Sequence, residues 1–169
     1  MKQYFRFSVC LFTLIALLTG CSCLRPDEKV KTKYEYTAIF FKVIDGDTFE
    51  AFFQKKMQRI RLADIDCFEK SKNKRLEAQA KKWNTNIKQA LTKGTQSEIK
   101  LAKLLMHSHH LNILPIKTDA YGRIIAYVQA VNSRGQVVNV NQYMLYEAGC
   151  NAFPDESYYN KKTPIEGRR

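Results

Sequence analysis

Three segments rich in β-branched and aromatic residues follow one another from residue 34, and only a few turn residues separate them. They predict strands at residues 34–44, 48–53 and 57–65. The turns between them, residues 45–47 (Asp-Gly-Asp) and 55–56 (Lys-Lys), leave room only for tight reversals. Strands connected in this way pair with their chain neighbours, so this stretch is predicted to form an antiparallel meander.

The apolar spacing then changes to the three- and four-residue steps of an amphipathic helix. These steps run through Leu76, Ala80, Trp83, Ile87 and Leu91. Gly94 is predicted to end this helix as a C-cap. Residues 95–98 (Thr-Gln-Ser-Glu) have the capping-box pattern, which predicts a second helix that continues to about Met106.

The rest of the chain returns to strands before a last helix. Strands are predicted at residues 111–116 and 123–131, on either side of a turn, and a helix at residues 140–148 is stopped by Gly149. The element order is β-β-β-α-α-β-β-α. It predicts an α+β fold in which a five-stranded Greek-key barrel of the OB type carries three helices. The faces and loops of such barrels commonly hold oligonucleotides.

The N-terminus has the pattern of an export signal. A short cationic stretch precedes an apolar run at residues 7–18, which is too short for a comfortable membrane span. The run ends in residues 18–21 (Leu-Thr-Gly-Cys), which resemble the lipobox of bacterial lipoproteins, where the cysteine is acylated. We therefore expect a signal peptide at residues 1–20 and a lipid on Cys21. An ordinary secretory signal or an uncleaved anchor is the alternative.

On this interpretation residues 21–33 are a lipidated tether, residues 34–157 are one domain and residues 158–169 are a polar basic tail. The protein would be exported and anchored to a bacterial membrane, at the outer membrane or the periplasmic face in a two-membrane cell and at the cell surface otherwise. Loss of Lys2 and Arg6 with the signal lowers the net charge from +12 to +10. Such an excess of positive charge attracts polyanions, and nucleic acids and anionic surfaces both fit it.

Three short motifs carry the groups that phosphodiester chemistry needs. They are residues 45–48 (Asp-Gly-Asp-Thr), the trio Arg61, Asp66 and Glu69, and residues 119–123 (Asp-Ala-Tyr-Gly-Arg). Carboxylates hold a hard cation such as Ca²⁺, a guanidinium fork matches phosphate oxygens, and a glutamate can activate water. Taken alone, the first and third motifs are more typical of turns, and Arg61 with Glu69 could be a surface ion pair. Together they indicate cleavage of a phosphodiester.

Residues 43–48, 61–69 and 119–123 resemble the three motifs of the thermonuclease family, the staphylococcal-nuclease-like enzymes. The similarity extends over roughly residues 35–153. It implies a Ca²⁺-dependent endonuclease that hydrolyses the phosphodiester bonds of DNA and RNA and leaves 3′-phosphates. DNA and RNA would be its partners, the membrane would be bound through the lipid anchor, and no obligate protein partner is indicated.

The resemblance assigns the metal site residue by residue. Asp47 and Asp66 would bind Ca²⁺ through their side chains, and the backbone carbonyl of Cys67 would be a third ligand. Asp45 would lie just outside these ligands or on a metal-bound water. Thr48 would support the metal site beside the bound substrate.

The resemblance also assigns the reacting groups. Glu69 would be the general base for the attacking water, while Arg61 and Arg123 would clamp the scissile phosphate. Tyr121 would contact a substrate phosphate or base. The basic segment after Glu69 would be a mobile loop that tracks the nucleic-acid backbone, with a merely solvated loop as the alternative; it contains Lys70, Lys72, Lys74 and Arg75.

The sequence departs from the family pattern in a few places. Phe68 stands where the family often has proline, Asp64 stands where it prefers a small or apolar residue, and an extra helix lies in the middle of the chain. The architecture of the family would bring Cys67 close to Cys150, and an exported protein meets oxidising conditions, so we expect a disulfide between them. Two buried thiols are the alternative.

One geometric condition follows from the spacing of the second motif. Arg61 and Asp66 are an odd number of positions apart, so a regular strand would point them to opposite faces. They can share a site only if the chain bends before Asp66, which predicts that the third strand ends near Asp64 or Ile65.

Two other functions are compatible with the same fold: a catalytically inactive nucleic-acid-binding module, and a lipoprotein of an envelope complex. An inactive copy normally loses at least one catalytic group, whereas this chain keeps Asp47, Asp66, Glu69, Arg61 and Arg123. A cluster of histidines follows the second predicted helix, and we expect a surface or helix-end role for it because no cysteine or acid stands at zinc-ligand spacing; it comprises His107, His109 and His110.

Overall fold

A computed structural model describes Tyr34 and residues 36–153, which lie in one compact unit. The predicted signal peptide, the lipid on Cys21, the tether and the basic tail lie outside the described residues. In chain order the elements are β1 (Tyr36–Asp45), β2 (Thr48–Phe53), β3 (Lys56–Leu62), β4 (Ile65–Asp66), α1 (Lys74–Lys82), α2 (Ile87–Met106), β5 (His110–Thr118), β6 (Ile124–Val131), β7 (Val137–Asn139), α3 (Val140–Tyr146) and β8 (Asn151–Ala152).

Five of these strands form a closed barrel. The meander β1–β2–β3 is antiparallel, β1 also pairs with β5, and β5 forms a hairpin with β6. The parallel pairing of β3 with β6 closes the barrel, and the short β7 extends it at β6. This architecture confirms the predicted α+β fold with an OB-type barrel and three helices. In addition, β4 and β8 form a small antiparallel pair.

Strict alternation along the strands separates the core from the outer face. On β2, Phe49, Ala51 and Phe53 are fully buried in the barrel, while Glu50 and Phe52 point the other way. On β3, Ile60 and Leu62 face inward in the same manner. Residues two apart on a strand share a face, so a half-buried antiparallel strand reads as alternating apolar and polar positions.

The third strand ends earlier than predicted, and the reason is the bend that the site requires. β3 stops at Leu62 and the chain turns at Asp64, whose φ is +61°. The carboxylate of Asp64 accepts a hydrogen bond from the hydroxyl of Tyr127 on β6. The chain therefore changes direction between Arg61 and Asp66, and both can face one site.

The two helices in the middle of the chain divide at a different place from the one predicted. The break falls at residues 83–86, where Asn84 has a φ of +46° and Asn86 caps α2 by accepting a hydrogen bond from the amide of Gln89 at 2.8 Å. The assignment of Gly94 as a C-cap and of residues 95–98 as a capping box is wrong. Both lie inside the 20-residue helix α2.

Packing explains why a glycine occupies this interior position of α2. A Cβ atom on Gly94 would lie 2.3 Å from the carbonyl oxygen of Glu69 and 2.6 Å from that of Phe68. The helix thus touches the backbone of the segment after β4 directly, and any side chain at this position would separate the two.

Among the described residues, no helix combines the length and apolar character needed to cross a membrane.

The pairing of β4 with β8 brings two cysteines together. Ile65 lies opposite Ala152 and Asp66 opposite Asn151, so the next step of the antiparallel register places Cys67 opposite Cys150. Their Cα atoms are 4.4 Å apart, and the two side chains form a disulfide that joins positions 83 residues apart. This bond fixes the segment that follows Asp66 to the end of the described chain.

Substitution of Gly94 tests the contact between α2 and the segment after β4. In an exposed helix interior, glycine to alanine is stabilising, but here Gly94→Ala should lower the free energy of unfolding by about 2 kcal/mol, because the new methyl overpacks the Glu69 carbonyl. Urea denaturation measures the difference. Thr95→Ala on the exposed face of the same helix is the control and should stay near the wild-type value; a stabilised Gly94→Ala variant would contradict the contact.

Removal of the disulfide should destabilise the domain because it closes a long loop. We expect Cys150→Ser to lower the free energy of unfolding by about 2–5 kcal/mol. A thiol reductant should bring the wild-type denaturation midpoint down to that of the variant and leave the variant itself unchanged. Identical wild-type midpoints with and without reductant would show that the bond does not form.

Candidate active site

The first motif forms the turn between β1 and β2, and this turn packs closely against α2 and the segment after β4. A Cβ atom on Gly46 would lie 2.4 Å from Oγ of Ser97 on α2 and 2.8 Å from Cβ of Cys67. The turn is also held internally, because the amide of Asp47 donates to Oδ1 of Asp45 at 3.1 Å. A glycine at this position therefore lets α2 and the segment after β4 come close to the turn.

Asp47 is the most buried carboxylate of the site, at 2 % exposure. Its Oδ1 accepts from Nη1 of Arg61 at 2.6 Å and from Oγ1 of Thr48 at 2.8 Å, and its Oδ2 accepts from the amide of Cys67 at 3.2 Å. Burial raises the pKa of Asp47 to about 7; Arg61 and Thr48 oppose this change, and the nearby Asp45 adds to it. A cation at this site would favour the ionised form.

Arg61 connects the first motif to the second. Besides its bond to Asp47, its Nη2 donates to Oδ1 of Asp66 at 3.3 Å and to the carbonyl of Ile65 at 3.3 Å. Only 11 % of the Arg61 side chain is exposed. The structure thus brings Asp47, Arg61 and Asp66 together, with the arginine between the two carboxylates.

The third motif reaches the site through the closure of the barrel. In the parallel pairing of β3 with β6, Ile124 lies opposite Ile60 and Ile125 opposite Arg61. Arg123 therefore enters β6 on the strand next to that of Arg61, and it shares a face with Ile125. Two arginines that are far apart in sequence thus lie on adjacent strands of the barrel, with Arg123 directly before Ile124, the partner of Ile60.

Asp119 holds the Arg123 side chain. Both Nε and Nη2 of Arg123 lie 2.7 Å from Oδ2 of Asp119, while Oδ1 accepts from the amides of Tyr121 and Arg123 at 2.9 Å each. Partial burial works against the ionised form, yet these hydrogen bonds and the charge of Arg123 lower the pKa of Asp119. Tyr121 is 85 % exposed, and its ring centroid lies 5.4 Å from the Arg123 guanidinium carbon.

Glu69 is held in place by Arg75 of α1 and by Asn73, the N-cap of this helix. Nε of Arg75 lies 3.1 Å from Oε1 of Glu69, and Nη2 of the same arginine donates to Oδ1 of Asp66 at 3.0 Å. Asn73, which caps α1, donates to Oε2 of Glu69 at 3.3 Å. Burial alone would lower the pKa of Arg75, but the carboxylates of Glu69 and Asp66 outweigh burial and raise it.

Gln79 of α1 fixes the backbone around the same residues. Its Nε2 donates to the carbonyl oxygen of Cys67 at 2.8 Å, and its Oε1 accepts from the amide of Glu69 at 2.9 Å. The side chain is 5 % exposed. One buried amide thus sets the positions of the carbonyl predicted to bind metal and of the residue predicted to act as base.

The basic segment after Glu69 differs in part from the predicted loop. Lys70 pairs with Glu98 on α2 at 2.6 Å, and Lys72 is exposed on the surface. Lys74 and Arg75, however, form the first turn of α1. The prediction of a loop is wrong for these two residues because Asn73 caps a helix at this point.

The site offers oxygen donors for a metal. In the described part of the chain, no group of three or more His, Cys, Asp or Glu side chains is placed to hold an ion. The sulfurs of Cys67 and Cys150 are bonded to each other, which leaves the carboxylates of Asp47 and Asp66 and the carbonyl of Cys67. Hard oxygen donors of this kind fit Ca²⁺ rather than a thiophilic metal.

Sequence reasoning missed the contribution of α1. Arg75 was assigned to a loop, and neither Asn73 nor Gln79 was assigned to the site. One sequence signal was present, since Gln79 precedes Ala80 on the apolar side of the helix, where a polar residue needs a buried partner. Its partners are backbone groups, which a sequence motif does not display.

Removal of the Gln79 amide should leave the Cys67 carbonyl and the Glu69 amide unpaired. Gln79→Leu, which is similar in size, should lower the free energy of unfolding by about 1–3 kcal/mol. Gln96→Leu on the exposed face of α2 is the matched control and should change it by less than about 0.5 kcal/mol. Equal urea midpoints for the two variants would show that water replaces Gln79 without cost.

Comparisons with known proteins agree with the motifs. The family model described as staphylococcal nuclease homologue (SNase) matches residues 59–163. An Escherichia coli protein named "Uncharacterized endonuclease" is 30% identical over 104 residues, which cover 62% of this chain and 52% of that protein. A protein of the same name from Escherichia coli O157:H7 is 29% identical over 104 residues, with the same shares covered. The chain thus spans about half the length of these curated relatives, and by the family match it belongs to the staphylococcal nuclease homologues.

Proposed function

We propose that this chain is a Ca²⁺-dependent endonuclease that hydrolyses phosphodiester bonds of DNA and RNA. The observation that carries the proposal is the convergence of Asp47, Arg61 and Asp66, which come from three different segments of the chain. Arg75 links Glu69 to this cluster, and Arg123 lies at the start of the strand next to that of Arg61. The word "endonuclease" in the names of the two relatives supports the same class of activity.

Glu69 acts as the general base. Its side chain is 20 % exposed, so water can reach it, and Arg75 and Asn73 fix both carboxylate oxygens. The carboxylate takes a proton from the attacking water as the new bond to phosphorus forms. The bond from phosphorus to the 5′-oxygen breaks, this oxygen takes up a proton, and the products are a 3′-phosphate and a 5′-hydroxyl.

Arg61 and Arg123 bind the scissile phosphate and stabilise the charge that builds up on its oxygens. A guanidinium can donate two parallel hydrogen bonds to a phosphate, which a lysine cannot do. The side chains are 11 % and 19 % exposed, so their charges are only partly screened by water. Ca²⁺ bound to Asp47, Asp66 and the Cys67 carbonyl would polarise a phosphate oxygen and offset the same charge.

The site orders its groups before substrate arrives. Asp119 orients Arg123, and Gln79 and Arg75 orient Glu69. Groups that are already in place need little reorganisation during the reaction, which is the main source of electrostatic catalysis. Export and a lipid anchor at Cys21 remain part of this proposal, as the location at which the enzyme would meet external nucleic acid.

Cleavage of single-stranded DNA, double-stranded DNA and RNA tests the proposal. We expect cleavage with Ca²⁺, none with chelator, and product ends that carry 3′-phosphates. Glu69→Gln should lower the rate by about 10²- to 10⁴-fold, the range for loss of a general base.

Glu77→Gln, at an exposed position of α1, is the matched control and should cut at the wild-type rate. The proposal fails if no metal supports cleavage, or if Glu69→Gln is as active as Glu77→Gln.

A further inference from the structure

The outer face of the meander carries three rows of side chains that cross its strands. The pairing register places the members of each row side by side. The row at the active site is Asp45, Thr48 and Arg61; the middle row is Lys42, Glu50 and Arg59; the far row is Ile39, Phe52 and Met57. Successive rows are two residues apart on β2 and β3 and three apart on β1, where register shifts add a residue to each step. Two residues of a strand correspond to about 7 Å, so the far row lies about 14 Å from Arg61 along β3.

The far row is apolar and open to solvent. Ile39 is 61% exposed, Phe52 50% and Met57 48%, and Phe41, at the β-bulge in β1, is 63% exposed. We call these four residues the apolar platform. The opposite faces of β2 and β3 supply buried core residues such as Phe49, Phe53 and Ile60, so the barrel core does not include the platform. A cluster of large exposed apolar side chains usually marks a binding surface.

The middle row supplies positive charge between the platform and the active site. Lys42 and Arg59 lie 3.3 Å and 3.2 Å from the two oxygens of Glu50, and their side chains are 55% and 62% exposed. Two cations share one carboxylate, so the row has a net positive charge and its donors remain accessible. The ammonium group of Lys42 also lies 5.8 Å from the ring centroid of Phe41, which links this row to the platform.

We propose that the apolar platform is a subsite for single-stranded nucleic acid. The nucleic-acid strand runs from the arginines of the active site across the middle row, where Lys42 and Arg59 contact its phosphates. Its bases then stack on Phe52 and Phe41. A cationic track with aromatic side chains is the usual surface for single strands, and its bases must be unpaired to present their faces. The inference rests on the proposed function, since it extends the substrate contacts of that site.

The row spacing sets the length of substrate that reaches the platform. A rise of about 3.4 Å per nucleotide spans 14 Å in about four nucleotides. Oligonucleotides longer than this should therefore bind more tightly than shorter ones, and a duplex of equal length should not gain this extra affinity.

A membrane surface is the competing occupant of the platform, but it does not account for the continuity of the rows with the arginines.

Binding of labelled oligothymidylates to the full chain tests the platform. The Glu69→Gln background prevents cleavage, and affinities are measured by fluorescence anisotropy at fixed salt with Ca²⁺. The double variant Phe41→Thr/Phe52→Thr should bind a ten-nucleotide strand roughly 5- to 100-fold more weakly, and a trinucleotide about equally. Val137→Thr, which removes an exposed apolar side chain from β7, is the matched control and should have no effect. An unchanged affinity of the double variant for the long strand overturns the proposal.

Oxidation of methionines by peroxide gives a second measurement that needs no substitution in the platform. The ten-nucleotide strand should protect Met57 but not Met106, which is 72% exposed on α2. Protection of Met57 by anionic phosphatidylglycerol vesicles and not by the oligonucleotide would assign the platform to a membrane and overturn the proposal.

The two proposals fail in different ways. A wild-type chain that cuts nucleic acid while the double variant binds and cuts long strands equally well disproves the platform alone. A wild-type chain that does not cut, although the double variant loses affinity for the long strand, disproves the proposed function alone.

Discussion

The burial of Asp47 is the constraint on which the rest of the site depends. A carboxylate at 2 % exposure is costly unless it is fully hydrogen-bonded, and each of its partners belongs to a different part of the chain. Arg61 comes from β3, Thr48 begins β2, and the amide of Cys67 follows β4. Satisfying one buried acid therefore joins three segments, and the raised pKa indicates that these partners only partly offset its burial.

Helix α1 has a corresponding role for the second half of the site. Through Arg75 and Gln79 it contacts both carboxylates of the second motif and the backbone between them. Because Gln79 is buried and uses both ends of its amide, α1 has little freedom to move without disturbing Glu69.

The fold was largely predictable because the meander can be recognised from the pattern of its sequence. Alternation along β2 and short turns define its strands, and the odd spacing of Arg61 and Asp66 even requires the bend that occurs at Asp64. The helix boundary was not predictable, since Gly94 looks like a helix end to any local rule. Its reason is a close contact with the carbonyl of Glu69, 25 positions earlier in the chain. The site residues that belong to the three motifs could also be found from the sequence. Gln79 could not, because it acts through backbone groups and belongs to no motif.

The closure of the barrel has a consequence for when such a site can exist. Arg61 and Arg123 come onto adjacent strands only when β3 pairs with β6, and the segment after Asp66 is fixed only when Cys150 is available to Cys67. A ribosome makes the chain from the N-terminus, so Arg61, Asp47 and Asp66 emerge early, whereas Arg123 and Cys150 follow only near the end of the domain. A chain that ends before β6 therefore lacks Arg123, and one that ends before Cys150 lacks the disulfide that fixes the segment after Asp66.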